Sequence, residues 1–166
     1  MKGCFSVILL IRSGIYSFIV ILIYMKNFAS KIYNPNVGLL LIRVALAIVF
    51  IYHGLGKFQN MAQTTGFFSM LNVPEVFAYV VAAAEFFGGI ALLLGLFVEV
   101  SAVLLAIVMF VAISLVKFGN GFAGMPGKAG YELDLVLFLV LLGVACLGSG
   151  KYALKKFWVK DVSSLN

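Results

Sequence analysis

Four long runs of apolar residues follow one another between residues 37 and 147, and more polar stretches separate them. A helix that crosses a bilayer needs about 20 mostly apolar residues, and the runs reach or approach that length. Asn34-Pro35-Asn36 ahead of the first run is typical of a helix start. We predict membrane-spanning helices at Val37–Phe58, Val73–Val98, Ser101–Val116 and Tyr131–Leu147.

The stretches between these runs differ in character. Gln59–Glu75 mixes Thr and Gln with Phe and Met. It is too polar to cross the membrane and too apolar for an ordinary loop, so we predict an interfacial or re-entrant segment. The turn between the second and third spans is very short and is predicted to centre near Glu99. Lys117–Gly130 is rich in Gly and is predicted to be a loop.

The apolar run at residues 5–24 carries Arg12 near its middle. A central Arg costs about 2.5–3.5 kcal/mol on insertion, which the surrounding apolar residues can offset. Three interpretations remain open: an additional span, an interfacial helix, or translation that starts at Met25. The sequence is accordingly divided into an extra N-terminal segment, a four-helix membrane domain and a polar tail, at residues 1–24, 25–160 and 161–166.

Composition supports a membrane protein. Of the 166 residues, 64% are hydrophobic and 11% are charged, whereas a soluble domain has about 45–50% apolar and about 25% charged residues. The chain therefore has too little polar surface to cover a soluble globule. The predicted fold class is all-α, a multi-pass membrane four-helix bundle with an N-terminal helix as an open addition, and its first partner is the lipid bilayer.

The net charge of +6 is explained by anionic lipid headgroups and the positive-inside rule. No basic stripe with interleaved exposed aromatic residues is present, so nucleic-acid binding is not predicted. Lysines before the first span and after the last one outnumber those between, which predicts that both ends of the four-helix region are cytoplasmic. The lysines are Lys26, Lys31, Lys151, Lys155, Lys156 and Lys160 at the ends, and Lys57, Lys117 and Lys128 on the opposite side.

The two cysteines give no sign of a redox or metal site. Cys4 and Cys146 form no CxxC pair, and no metal-ligand spacing is present. Cys146 lies in the last apolar run and is predicted to be a small buried residue.

Six ionisable residues within the spans are the candidate site. Ionisable side chains inside a membrane are costly and by default mark a function. Glu85 is predicted near the midplane, and most of the others near the outer side. The six residues are Arg43, His53, Lys57, Glu85, Glu132 and Asp134.

The spacing of residues on the first span places both of its strongest cations on one seam. Arg43, Ala47, Phe50, Gly54 and Lys57 are 4, 3, 4 and 3 residues apart, the pattern of a helix face that packs against a neighbour. Because a bare charge is unfavourable in hydrocarbon, we expect this seam to face the bundle interior.

Depth along each helix suggests partners for these cations. Glu85 is the expected partner of Arg43 or of His53. Lys57 is expected at the same membrane depth as Glu132 and Asp134, so either of these is its expected partner. Purely structural roles also remain open: an ion pair that fixes helix register, a lysine that reaches the interface, and acidic residues that favour a helix N-terminus.

Small residues are expected at helix contacts. Glycine allows membrane helices to approach closely. The candidate packing positions are Gly54, Gly88 and Gly89.

Several segments together resemble the DoxX/DoxD family of small membrane proteins over about residues 37–154. They are "RVALAIVFIYHGLGKF", "GFFSMLNVP", "VAAAEFFGGIALLLGLF" and "GYELDLVLFLVLLGVACLGSGKYAL". The resemblance implies a four-helix bundle in the cell inner membrane and a link with respiratory or redox systems. Family members include the small subunit of a thiosulfate:quinone oxidoreductase and a partner of detoxifying enzymes in oxidative-stress defence.

Two classes of function follow. The first is a redox-linked membrane subunit that binds a quinone or small ligand at the polar cluster, because quinone carbonyls need donors and a carboxylate can exchange protons. The second is a non-catalytic scaffold or anchor for a partner redox or detoxifying enzyme. A solute or proton pathway is a weaker third. No self-contained catalytic or cofactor motif is visible, so a partner oxidoreductase subunit is expected, and a homo-oligomer remains open.

Overall fold

A computed structural model describes residues 33–154 of the chain. The predictions for the apolar run at residues 5–24, for Met25 and for the tail beyond residue 154 lie outside the described residues.

Five α-helices account for most of the described residues, which confirms the predicted all-α membrane fold. Three helical stretches are long and apolar enough to cross a membrane: Pro35–Gln59, Val76–Leu94 and Val98–Asn120. The last helix has 16 residues, about 24 Å, and is shorter than the roughly 30 Å hydrocarbon core. The helices are α1 (Pro35–Gln59), α2 (Met61–Met70), α3 (Val76–Leu94), α4 (Val98–Ala112) and α5 (Glu132–Leu147).

The third span is longer than predicted and has an irregular end. A π-helical turn, Ile113–Lys117, and a 3₁₀ turn, Phe118–Asn120, continue α4 without a break. Such turns carry the chain beyond its last regular α-helical hydrogen bonds. They place Lys117 alongside the start of α5, where it contacts Asp134.

The turn between the second and third spans lies earlier than predicted. Gly95 is the C-cap of α3. Its φ of 76° is left-handed, and its N–H donates to the Ala91 carbonyl at 2.9 Å. Glycine adopts this conformation without the strain that a Cβ brings. Phe97 is also left-handed, at φ 47°. Glu99 therefore belongs to the first turn of α4 rather than to the connection.

The mixed segment after α1 folds into a short helix and a turn. α2 follows α1 almost directly and packs against α3. It ends at Leu71, and Asn72 adopts a left-handed φ of 55° before α3 begins. The segment thus packs against the bundle, and its predicted interfacial or re-entrant position stays a prediction.

The glycine-rich loop is more ordered than predicted because it contains a small hairpin. β1 (Gly124–Met125) pairs antiparallel with β2 (Lys128–Ala129). Pro126-Gly127 joins them, and the φ of 78° at Gly127 suits the third position of a type II turn.

The core lies between four of the helices. α4 and α5 form the most extensive helix pair, and Leu105 and Leu141 are fully buried between them. Apolar side chains of α1 and α3 complete the same cluster. Its members are Leu39, Leu46, Ala47, Phe50, Leu92, Val98, Ala102, Leu105, Ala106, Met109, Leu141 and Val144.

Two adjacent glycines of α3 each allow close contact with a different neighbouring helix. A Cβ on Gly88 would lie 3.2 Å from Leu105 Cγ of α4, and a Cβ on Gly89 would lie 3.0 Å from the Ile51 backbone nitrogen of α1. The absent side chains let α3 approach both helices at one level.

Candidate functional site

The seam predicted on α1 faces the bundle interior. Arg43, Ala47, Phe50 and Gly54 are buried, and Lys57 at the end of the seam is partly buried. The two cations at its ends meet different surroundings.

Arg43 is 1% exposed and holds three parts of the backbone together. Its Nε donates to the Leu92 carbonyl at 2.9 Å, and its Nη1 donates to the Ser149 carbonyl at 2.7 Å. Longer bonds reach the carbonyls of Leu93 at 3.3 Å and Tyr152 at 3.5 Å. The guanidinium thus caps the C-terminal carbonyls of α3, where the helix dipole favours a cation.

The predicted Arg43–Glu85 pair is wrong. All hydrogen bonds that Arg43 donates within residues 33–154 end on main-chain carbonyls. The reason is the offset of α1 relative to α3 along the helix axes. Arg43 lies beside the last turn of α3, whereas Glu85 lies in the middle of that helix. Depth along each helix could not reveal this offset.

Glu85 pairs instead with Lys57. Lys57 Nζ donates to Glu85 Oε2, and the Glu85 side chain is 4% exposed against 27% for Lys57. Gly54 places the two helices for this contact, since a Cβ there would lie 2.5 Å from the Phe86 backbone nitrogen. Lys57 follows Gly54 by one helical turn, and Glu85 precedes Phe86, so the close approach brings the charges together.

An apolar cavity of about 490 Å³ opens beside this ion pair. Only Lys57 and Glu85 contribute polar side chains to its lining. The other walls come from α2 and the turn after it, from the first half of α3, and from the second half of α4 with the π-helical turn that follows it. These are Phe67, Phe68, Leu71, Val73, Phe77, Val80, Val81, Ala84, Leu104, Ile107, Val108, Val111, Ala112, Leu115 and Val116.

The outer edge of the cavity is apolar and exposed. Phe77, Val80, Leu104 and Ile107 are each 50–55% exposed, and residues of this kind on a membrane helix face acyl chains. The cavity therefore combines an opening toward lipid with one buried charge pair. Its volume lies within the roughly 300–1,000 Å³ typical of small-molecule sites.

His53 does not join the buried pair. It is exposed and makes an edge-to-face ring contact with Tyr52, with centroids 5.7 Å apart. The predicted His53–Glu85 alternative is therefore wrong. Residue 53 lies off the seam because it is one position before Gly54, about 100° around the helix.

The acidic residues of α5 do not bind Lys57. Asp134 Oδ2 accepts from Lys117 Nζ at 2.5 Å, and the Asp134 side chain is 10% exposed. Glu132 is exposed, and its backbone N–H donates to the Phe122 carbonyl at 3.1 Å. The predicted pairing of Lys57 with either residue is wrong, because the turns after α4 bring Lys117 to Asp134 first.

The six predicted residues thus do not form one polar cluster. Lys57 contacts Glu85, and Arg43 donates hydrogen bonds to main-chain carbonyls. His53 and Glu132 are exposed. Sequence reasoning missed Lys117 and the contribution of Phe67 and Phe68 to the cavity. The apolar residues within the otherwise polar Gln59–Glu75 segment were the available signal.

The described residues correct the prediction for Cys146 and hold no cluster of metal-ligand side chains. Cys146 is exposed on α5, so its predicted burial is wrong. Within residues 33–154, no three side chains of His, Cys, Asp or Glu lie together as metal ligands would.

Comparisons with known proteins point to one family. Residues 38–118 match the DoxX family model. The chain is 39% identical to "Putative oxidoreductase CatD" of Bacillus subtilis (strain 168) over 131 residues, which cover 79% of this chain and 94% of CatD. It is 28% identical to "Inner membrane protein YqjF" of Escherichia coli (strain K12) over 121 residues, 73% of this chain and 92% of YqjF. No solved structure matches the chain.

Proposed function

Because this chain belongs to the DoxX family of membrane proteins, we propose that it is a redox-linked subunit of the cell inner membrane that binds a quinone beside Lys57 and Glu85. The observation that carries the proposal is the position of a partly buried ion pair in the wall of an otherwise apolar, lipid-facing cavity. The name of CatD, which includes the word oxidoreductase, and that of YqjF, an inner membrane protein, agree with this proposal.

The two charged side chains offer complementary chemistry to a quinone head. An ammonium group has three N–H donors, and Glu85 accepts one from Lys57, which leaves donors for a quinone carbonyl. Glu85 supplies a carboxylate within reach of the same position, suited to proton exchange. The apolar walls suit the ring face and the first part of an isoprenoid tail.

The proposed reaction needs electrons from elsewhere. Reduction of a quinone to a quinol consumes two electrons and two protons, and the electrons would come from a partner oxidoreductase subunit. The role of this chain is to bind the quinone, orient its carbonyl and supply protons at that oxygen.

Quinone retention by purified protein in lipid nanodiscs tests the proposal. The probes are ubiquinone-2 and menaquinone-4, with empty nanodiscs as the blank. We expect saturable binding of about one quinone per chain, weakened by about tenfold or 1.4 kcal/mol in Lys57→Met. Because Lys57→Met leaves Glu85 without its counter-ion, Lys57→Met with Glu85→Gln is measured beside it and should bind as weakly.

Lys117→Met is the matched control, since it breaks the other ion pair at a place that does not line the cavity. It should retain quinone as the wild type does. Retention by the wild type that does not exceed the blank would overturn the proposal.

A scaffold function is the second candidate, and the outer hairpin favours it. Phe118 and Phe122 pack against Tyr131, yet they remain 70% and 56% exposed beside the hairpin. A partner enzyme could dock on such aromatic residues. Unchanged oxidative-stress resistance in cells that carry Lys57→Met, with loss in Phe118→Ser and Phe122→Ser, would favour the scaffold over the quinone site.

A further inference from the structure

A second cavity meets the first at Lys57. It has a volume of about 390 Å³ and lies at the bend between α1 and α2. Its lining mixes apolar groups with polar side chains, among them His53, Gln59, Gln63 and Thr64. Among the residues that line these two cavities, Lys57 is the one they share. We call this second cavity the polar groove.

Lys57 lines both the groove and the apolar cavity, whereas Glu85 lines the apolar cavity alone. Glu85 is 4% exposed at its side chain, and the 27% exposure of Lys57 gives the pair its contact with the surroundings. The walls contributed by α3 and α4 are otherwise apolar. Water enters apolar, lipid-facing surfaces poorly, whereas amide and hydroxyl groups can hold bridging water.

The titratable groups around the pair are few. On α1 they are Lys57 itself with His53 and Tyr52 in the groove, and on α3 there is Glu85. α2 contributes an amide and a hydroxyl, and the α4 lining contributes none.

We propose that the polar groove is the route by which the Lys57–Glu85 pair exchanges protons with water, with His53 at its mouth. The use of this route for catalysis rests on the proposed function, because quinone reduction consumes protons inside an apolar cavity. Two electrons enter the quinone from the reduced partner subunit. Lys57 Nζ gives a proton to the carbonyl oxygen beside it, and a proton from bulk water restores the ammonium group through the groove. The carbonyl oxygen on the far side of the ring takes its proton from solvent water.

Thiol labelling measures whether water reaches position 57. The protein is held in nanodiscs, with Cys4→Ser and Cys146→Ser, and treated with a charged methanethiosulfonate, which reacts with thiolates in water. Lys57→Cys is made together with Glu85→Gln so that no carboxylate is left without a counter-ion. Gln63→Cys reports the groove, and Ala84→Cys reports the apolar cavity next to the same ion pair.

We expect position 57 to react within roughly tenfold of position 63, and position 84 to react at least about tenfold more slowly than either. Apolar N-phenylmaleimide should label position 84, which shows that its thiol is present and folded into the cavity. An unreactive position 57 beside a reactive position 63 would overturn the inference.

A bulky side chain in the groove provides a second test. Gln63→Trp should slow labelling at position 57 by about tenfold, because its indole occupies the groove. Ala62→Trp is the matched control, since Ala62 is exposed on the same helix and lines neither cavity. Equal labelling rates in both variants would overturn the inference.

The two proposals fail separately. Loss of quinone retention with the expected labelling pattern would contradict the quinone site and leave the water route standing. Normal quinone retention with an unreactive position 57 would contradict only the route.

Discussion

Lys57 at the end of α1 donates to Glu85 in the middle of α3, across 28 residues of sequence. Arg43, on the same seam of α1, gives all its hydrogen bonds within the described residues to backbone carbonyls. At one end of the seam, Arg43 therefore stabilises the backbone through hydrogen bonds to its carbonyls. The other end places a charge pair in the wall of a cavity, with donors left for a ligand.

A double-mutant cycle tests the Lys57–Glu85 contact. Lys57→Met and Glu85→Gln should each lower the free energy of unfolding in detergent by about 1–3 kcal/mol, less than for a fully buried pair because Lys57 is partly exposed. The double variant should lose less than the sum, with a coupling energy of about 1 kcal/mol or more.

The cycle between Arg43 and Glu85 is its control. Arg43→Met and Glu85→Gln should be additive within about 0.5 kcal/mol, since the two side chains do not contact each other. Strong coupling here, or additivity in the first cycle, would contradict the pairing that we describe.

Arg43 should not tolerate lysine. Arg43→Lys keeps the charge but cannot reproduce the planar donor fork that reaches the Leu92 and Ser149 carbonyls together. We expect a loss of about 2–3 kcal/mol in the free energy of unfolding, comparable to one or two hydrogen bonds to a charged group. An unchanged unfolding midpoint would show that the fork is dispensable.

Replacement of Gly54 by alanine should already destabilise the protein. Gly54→Ala would place a Cβ against the Phe86 backbone, and we expect a cost of about 1–3 kcal/mol as α1 and α3 separate. Gly38→Ala on the same helix has no atom within 4 Å of the new Cβ. It should be neutral or gain about 0.5–1 kcal/mol from helix propensity. Equal stability of the two variants would contradict the close helix approach.

Topology is a prediction from lysine distribution. In a background without Cys4 and Cys146, Lys128→Cys on the hairpin should react with a membrane-impermeant thiol reagent in intact cells. Tyr152→Cys at the other end of the bundle should react only after permeabilisation. The reverse pattern would place the ends of the four-helix region outside the cytoplasm.

Sequence patterns predicted the seam of α1 because its spacing depends on one helix alone. They could not predict the partners, because each partner depends on the stagger between helices. Arg43 donates a hydrogen bond to the Ser149 carbonyl, which lies 106 residues away in sequence. No local sequence pattern marks a backbone carbonyl as an acceptor. Depth estimates assumed regular helices, whereas the π-helical turn after α4 moves Lys117 beside Asp134.

The cavity was equally hidden from sequence. Its walls join the short helix α2 to the halves of α3 and α4 that face it. The mixed composition of Gln59–Glu75 predicted an interfacial or re-entrant segment. It carried no information on which helices Phe67 and Phe68 would meet.

Photoaffinity labelling with an azido-quinone tests the central claim most directly. The protein in native membranes is irradiated with the probe, digested and sequenced by mass spectrometry, with and without excess unlabelled quinone. We predict adducts on the cavity walls, at Ala84 of α3 and Ile107 of α4, that excess quinone suppresses and that are lost in Lys57→Met with Glu85→Gln. Adducts spread over lipid-exposed residues such as Leu139 of α5, with no suppression by unlabelled quinone, would contradict a quinone site beside Lys57 and Glu85.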